Sequence, residues 1–341
     1  MDSVTQFALG AAVGEAVLGR KVGSCALLWG GICGTIPDLD VFLSFGDPVK
    51  DFTYHRSFSH SIFILALLTP IIVALILRLH AGTRVCKWHW YLLVYLVFVT
   101  HVLLDCCTAY GTQILWPIIT TPISWSTIFI IDPVYTLPLL AGIVAALLLS
   151  RQNPLGNTLN SIGLAFSALY LAWTIGAKWY VDNMVEHSLD GSGIDSRVFF
   201  STPTPFNSLL WRVVVMEAEG YYEGFYSVFD GDRPIPFQHY TSRVDLLNDI
   251  KTDWSVRRLQ WFSNGIYAVK QEHQSVVISD LRMGYEPNYV FRFVVGRIAN
   301  ASVFAIRPIQ LESTRDYSAL VLIWRRIWDA SRDTNLVPKR K

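Results

Sequence analysis

The sequence predicts an α-helical polytopic membrane domain of about six segments, followed by a C-terminal α+β domain with a mainly antiparallel sheet. Three observations predict it. Apolar residues make up 52% of the 341-residue chain, and nearly all of the excess lies before residue 180. Within that half, separate apolar stretches approach the roughly 20 residues that span a bilayer. Beyond Gly191 the pattern changes to aromatic and β-branched runs separated by turn residues. The chain therefore divides into a transmembrane domain, residues 1–189, and a soluble domain, residues 190–341.

Residues 4–18 and 22–36 are short apolar stretches, whose glycines and alanines between Gly10 and Gly34 favour close helix packing. Residues 60–79 form a full span. Residues 89–107 form another, with Trp88 and Trp90 as interface anchors. Residues 133–150 begin beside Pro133, and residues 157–179 extend as a helix towards Leu189. The prolines and threonines of 111–131 mark an irregular connection. Arg20, Lys21, Arg78, Arg84, Lys87 and Arg151 fall on one side if all segments cross, which makes that side cytoplasmic. The 55–61 loop and the C-terminal domain then face outward from a multi-pass protein of the cytoplasmic (inner) membrane. In the second domain, residues 213–217, 221–229, 266–270, 275–279 and 289–295 read as strands, with Gly220, Asp230-Gly231 and Gly284 at turns. Residues 245–252, 255–263 and 318–328 read as helices, followed by the basic tail Lys339-Arg340-Lys341.

Composition excludes several classes. The net charge of +1 points to no polyanionic partner, and no nucleic-acid module is present. Met1-Asp2-Ser3 carries no basic region of a cleavable signal peptide. The five cysteines lie in or beside apolar segments without zinc-knuckle spacing.

The chemistry concentrates in a few places. His55-Arg56-Ser57-Phe58-Ser59-His60-Ser61 precedes an apolar span, where ionisable groups are expensive and usually have a task. His55 reads as a loop residue, Ser59 as a helix N-cap and His60 as first-turn, so that both rings converge on one ion. Asp38 and Asp40, in D-x-D spacing after Pro37, suit hard or borderline cations, although Pro and Asp are also ordinary turn residues. His101 and Asp105 lie one turn apart on one helical face inside an apolar run. They bind one metal together, or Asp105 orients His101. Glu15, an acid in a membrane segment, reads equally as ligand or packing partner. Asp132 reads as ligand or N-cap.

His55, His60, His101 and Asp105, with Asp38, Asp40 and Glu15 as further ligands, form a mixed nitrogen and oxygen set without thiolates. Such a set favours Zn²⁺, with Mn²⁺ as the other candidate, in one to three ions. A bound ion would activate water and stabilise a developing oxyanion, with Asp38, Asp40 and Arg56 at the reaction centre.

These residues carry a resemblance. Asp2-Ser3-Val4-Thr5, Gly14-Glu15, Pro37-Asp38-Leu39-Asp40, the 55–61 motif and His101-x-x-x-Asp105 with Thr108-Ala109-Tyr110-Gly111 resemble the LexA-regulated, YdjM-like membrane-bound metal-dependent hydrolases. A weaker likeness continues through 204–207 and 280–284. The resemblance implies hydrolase activity and a distant similarity to zinc phospholipase C and P1-type nucleases, whose helical sites also use an HxxxD pair. This chain departs from it at Gln6, where the family often has histidine, and at Ser57 and Ser59. The expected function is metal-dependent hydrolysis of a phosphoester or ester in a membrane lipid or lipid-linked substrate. The rival reading is a metal-binding membrane scaffold or sensor without turnover.

Overall fold

A computed structural model describes residues 1–149, 154–300, 302–313 and 318–332. Arg151 and the Lys339-Arg340-Lys341 tail lie outside the described residues. The chain forms two compact units: Met1–Leu43 with Tyr54–Thr174, and Ser44–Thr53 with Ile175–Lys341.

The first unit is helical. Helix α1 (Ser3–Gly14) is capped by Asp2, which accepts the amides of Val4 and Thr5, and continues through a π turn, Glu15–Gly19, into α2 (Arg20–Val22). Helix α3 (Ser24–Thr35) crosses α1 at backbone contact. A Cβ on Gly10 would meet the carbonyl of Gly30, and one on Gly34 would meet the carbonyl of Gln6. Small residues allow this approach, the usual device for helix association in lipid. A tight turn, Pro37–Phe42, ends the segment.

Helix α4 (Pro48–Tyr54) belongs to the second unit but for its last residue. Helices α5 (Ile62–Leu79) and α6 (Lys87–Cys106) follow as an antiparallel pair. Helix α5 leaves Leu67, Ile71 and Leu75 exposed at four-residue intervals, a lipid-facing stripe. Helix α6 buries Trp90, Leu93, Val94, Val97, Phe98, His101 and Asp105, a stripe at 3.6-residue spacing that is apolar until its last two members. Helix α7 (Pro133–Leu148) starts at Asp132, which accepts the amides of Val134 and Tyr135 and the hydroxyl of Tyr170. Asp132 is therefore an N-cap.

Helix α8 (Leu155–Asp190) runs for 36 residues, and the division between units falls inside it, at Thr174, earlier than a cut after residue 189. Among the described residues, three helical segments are long and apolar enough to cross a membrane: Ile62–Leu79, Ala81–Cys106 and Leu155–Asp190. Helices α1 and α3, of 12 residues each, are shorter than the expected spans. At 1.5 Å per residue each covers about 18 Å of a hydrocarbon core about 30 Å thick.

The second unit is α+β. One antiparallel sheet runs β1 (Phe199–Pro203), β2 (Leu210–Glu217), β3 (Gly220–Ser227), β4 (Gln238–Thr241). Helix α9 (Trp254–Phe262) follows, capped by Asp253. The later strands are β5 (Tyr267–Glu272), β6 (Ser275–Asp280), the short pair β7 (Gly284–Tyr285) and β8 (Asn288–Tyr289), β9 (Arg292–Ala299) and β10 (Ser302–Gln310). The second sheet has the order β10-β9-β6-β5. Helix α10 (Ser318–Trp328) and a short turn, Ala330–Arg332, close the described fold. Within this unit Phe52 packs on Phe262, Phe291 and Phe293, and Arg258 donates to Thr53.

A buried ion pair ties the first sheet to the turn after β6. Arg212 donates to Glu223 at 2.6 Å and to the carbonyl of Leu281 at 2.6 Å, while Tyr289 donates to Glu223 at 3.0 Å. Glu223→Ala should leave the guanidinium buried without its counter-charge and destabilise the protein by about 3–5 kcal/mol. Thermal unfolding followed by the loss of strand signal checks this.

Candidate metal centre

The site is assembled where α3 ends, α5 begins and α6 ends. The buried stripe of α6 supplies His101 and Asp105. The imidazole Nδ1 of His101 lies 2.8 Å from the carbonyl oxygen of Gly34, near the end of α3. A carbonyl only accepts, so Nδ1 carries the proton and Nε2 presents its lone pair to the interior.

His60 is set by a second chain of hydrogen bonds. Ser59 Oγ donates to Asp40 Oδ2 at 2.5 Å and lies 2.9 Å from His60 Nδ1. The single Ser59 proton is committed to Asp40, so His60 Nδ1 donates to Ser59. His60 Nε2 therefore also presents a lone pair. Ser61, rather than Ser59, is the N-cap of α5, and His60 lies in the short turn before it. Ser59 is released from capping because it bridges His60 and Asp40.

Four donor atoms converge. His60 Nε2 and His101 Nε2 are 3.3 Å apart. Asp105 Oδ2 lies 3.0 Å from the first and 3.3 Å from the second; Asp38 Oδ1 lies 3.5 and 3.6 Å from them. All four lie within 4.8 Å of one another. Tetrahedral ligands at about 2.0–2.1 Å from a zinc ion stand about 3.3 Å apart. Asp105 Oδ2 and Asp38 Oδ2 are buried and make no hydrogen bond. Two lone pairs and two carboxylate oxygens at this spacing fit a divalent cation.

The supporting shell is extensive. Asp105 Oδ1 accepts from Gln6 Nε2 at 3.1 Å, lies 3.2 Å from Arg56 Nη2 and contacts the Met1 amino group. Its other oxygen is thereby turned to the cluster. Burial alone would raise the carboxyl pKa of Asp40. The facing His55 imidazole and the Ser59 hydroxyl outweigh it and hold the carboxyl below the usual carboxylate range.

Arg56 is nearly fully buried with φ +59°, a left-handed backbone rare for a side-chain-bearing residue. Its amide donates to Asp40 Oδ2 at 2.9 Å, and its carbonyl accepts from the Gln113 amide at 2.9 Å, which together hold that conformation. Its guanidinium donates to Thr108 and lies over the Tyr110 ring, and Nε has no partner.

The structure thus brings Asp38, His60, His101 and Asp105 into one cluster. His55 and Asp40 stand beside it, His55 Nδ1 being 2.8 Å from Asp40 Oδ1. Glu15 lies elsewhere, about 13 Å along the helix axis from Gln6. It sits in the π turn with its carboxylate folded over Gly19. Residue type drew Glu15 and Asp105 together in the sequence, but Glu15 lies about two and a half turns along its helix from Gln6, the residue that reaches Asp105. The parts that sequence reasoning missed are the Gly34 carbonyl, Gln6 and the bridging role of Ser59. Two of them left a signal: Ser59, a hydroxyl between two metal-ligand candidates, and Gln6, which stands where the resembled family often has histidine.

A family model described as YdjM inner membrane protein matches residues 1–181, which include every residue of the cluster and its shell. A relative described as uncharacterized protein YfhP, from Bacillus subtilis (strain 168), is 26% identical over 320 residues, covering 86% of this chain and 90% of the relative. No solved structure matches the chain.

If the cluster holds a divalent cation, His60→Ala or Asp105→Ala should lose most of it, and Glu15→Gln should lose none. Gln6→Ala and Ser59→Ala should retain the ion with about 10–100-fold weaker affinity. Elemental analysis of folded protein and competition titration against a chelator separate these outcomes.

Proposed function

This chain belongs to the YdjM inner membrane protein family, and from that premise we propose that it is a membrane-bound metal-dependent hydrolase acting on a phosphoester or ester of a membrane lipid or lipid-linked substrate. The observation that carries the proposal is the four-donor cluster of Asp38, His60, His101 and Asp105, whose donor atoms all lie within 4.8 Å of one another. These four would hold the ion, zinc by donor type, with manganese as the alternative. When bound, a divalent cation of this kind supplies Lewis-acid polarisation and lowers the pKa of water.

The chain's own residues supply the rest. The Arg56 guanidinium, anchored through Thr108 and Asp105, keeps Nε for an anionic oxygen of the substrate. His55, partly exposed and set against Asp40, is placed to accept or return a proton at Nε2. The likeness to zinc phospholipase C and P1-type nucleases belongs to this proposal and rests on the His101/Asp105 pair. Also proposed are the six crossings, with the site and the C-terminal unit facing outward. Their support is the placement of Arg20, Lys21, Arg78, Arg84 and Lys87.

Zinc-loaded protein in mixed micelles should hydrolyse a long-chain phospholipid, lose that activity to chelator and regain it with zinc. Arg56→Lys should lower kcat/KM by about 10–100-fold, because a point charge replaces a fork of donors. Metal bound without turnover on any lipid ester or phosphoester would favour the scaffold or sensor reading. A reporter active only in the cytoplasm, fused after Lys341, should stay silent.

A further inference from the structure

The turn that brings Asp38 and Asp40 to the cluster also carries four exposed apolar side chains. Leu39 is 53% exposed, Val41 66%, Phe42 81% and Leu43 49%. Asp40, between the first two, is buried. Six residues of backbone therefore divide their side chains between the metal centre and the exterior. A large apolar patch beside a polar site marks a binding surface when nothing in the chain covers it. These side chains remain exposed with the full described chain present.

The depth of the turn says what covers it. His60 precedes the first residue of α5 by two positions, and Asp105 precedes the last residue of α6 by one. Helices α5 and α6 have 18 and 20 residues, about 27 and 30 Å at ~1.5 Å per residue. Each matches the hydrocarbon core, so the cluster lies where acyl chains meet headgroups. Helix α3 ends at the same cluster, through Gly34 and Asp38. A turn facing headgroups would be expected to show polar side chains, as its two carboxylates would, yet it turns both of those inward.

We infer that Leu39, Val41, Phe42 and Leu43 form a lip that packs against the acyl chains of a membrane lipid whose headgroup reaches the metal centre. The inference rests on the hydrolase reading for the identity of the headgroup site, and adds the residues that select a membrane-embedded substrate over a water-soluble one. The lip holds the chains in the leaflet beside the cluster. A soluble ester with the same reacting group gains nothing from it.

The full chain is placed in nanodiscs of dioleoylphosphatidylglycerol containing a phosphatidylglycerol with a diazirine near the glycerol end of one acyl chain. After irradiation, peptide mapping should find residues 39–43 labelled more strongly than the turn around Val85, which is 91% exposed at the far end of α5. Labelling equal to or weaker than that turn overturns the inference. In a second arm, Val41→Asn/Phe42→Asn should lower kcat/KM for long-chain phosphatidylglycerol at least about 10-fold. Turnover of bis(p-nitrophenyl) phosphate and zinc content should not change. Equal loss on both substrates overturns the lip. If wild-type protein hydrolyses neither substrate, the hydrolase reading fails, and the labelling arm alone decides the lip.

Discussion

The first unit depends on one unfavourable arrangement: two imidazole lone pairs and two carboxylate oxygens within 4.8 Å of one another. Like groups at that distance repel, and in a dry interior the repulsion is poorly screened. Such a cluster persists only if a cation or shared protons neutralise it, and if the surrounding fold leaves the side chains no escape. Both imidazoles are pinned at Nδ1, His101 by a backbone carbonyl and His60 by Ser59. Asp105 is pinned at Oδ1 by Gln6 and Arg56. The constraint is therefore on orientation, and the outer atoms of His60, His101 and Asp105 bear it.

The α1–α3 crossing sets this orientation. Gly34 does two things at once: its missing Cβ lets the Gln6 carbonyl approach, and its own carbonyl accepts from His101. Gln6, on the other side of the same contact, donates to Asp105 and to the carbonyl of His101. A change in helix separation would move both His101 and Asp105. The glycines that pack the helices thus also register the donor atoms of the cluster, which makes packing and chemistry one problem in this unit.

Much of this was legible in the sequence because it is periodic. Helices α5, α6 and α8, strands β2, β3, β5, β6 and β9, and helix α10 follow from spacing alone. Strands β1, β4 and β10 were not. Strand β1 is five residues ending in proline, and β10 contains Pro308 and a register shift between Ala305 and Ile309. The six-span expectation counted apolar residues, but α1 gives way to a π turn at Glu15 and α3 ends before Pro37, each after 12 residues. At the site, ligand types were readable and partnership was not. A backbone carbonyl such as that of Gly34 has no sequence signature, and Glu15 looked like a ligand only because its distance from Asp105 cannot be read from residue type.

The 55–61 segment shows how much a few residues can be made to do. His55 faces Asp40, the Arg56 amide binds the same carboxylate, Ser59 donates to it, and Ser59 in turn orients His60. Asp40 is thus the hub of the segment without belonging to the four-donor cluster. The left-handed Arg56 is what lets the chain reverse between His55 and His60 while its guanidinium enters the interior. Ordinary helical geometry would have set the two rings about 140° apart. Breaking the helix at Arg56 and restarting it at Ser61 brings His60 to the four-donor cluster and leaves His55 at its edge. One histidine thus joins the four-donor cluster, and the other stands beside it against Asp40.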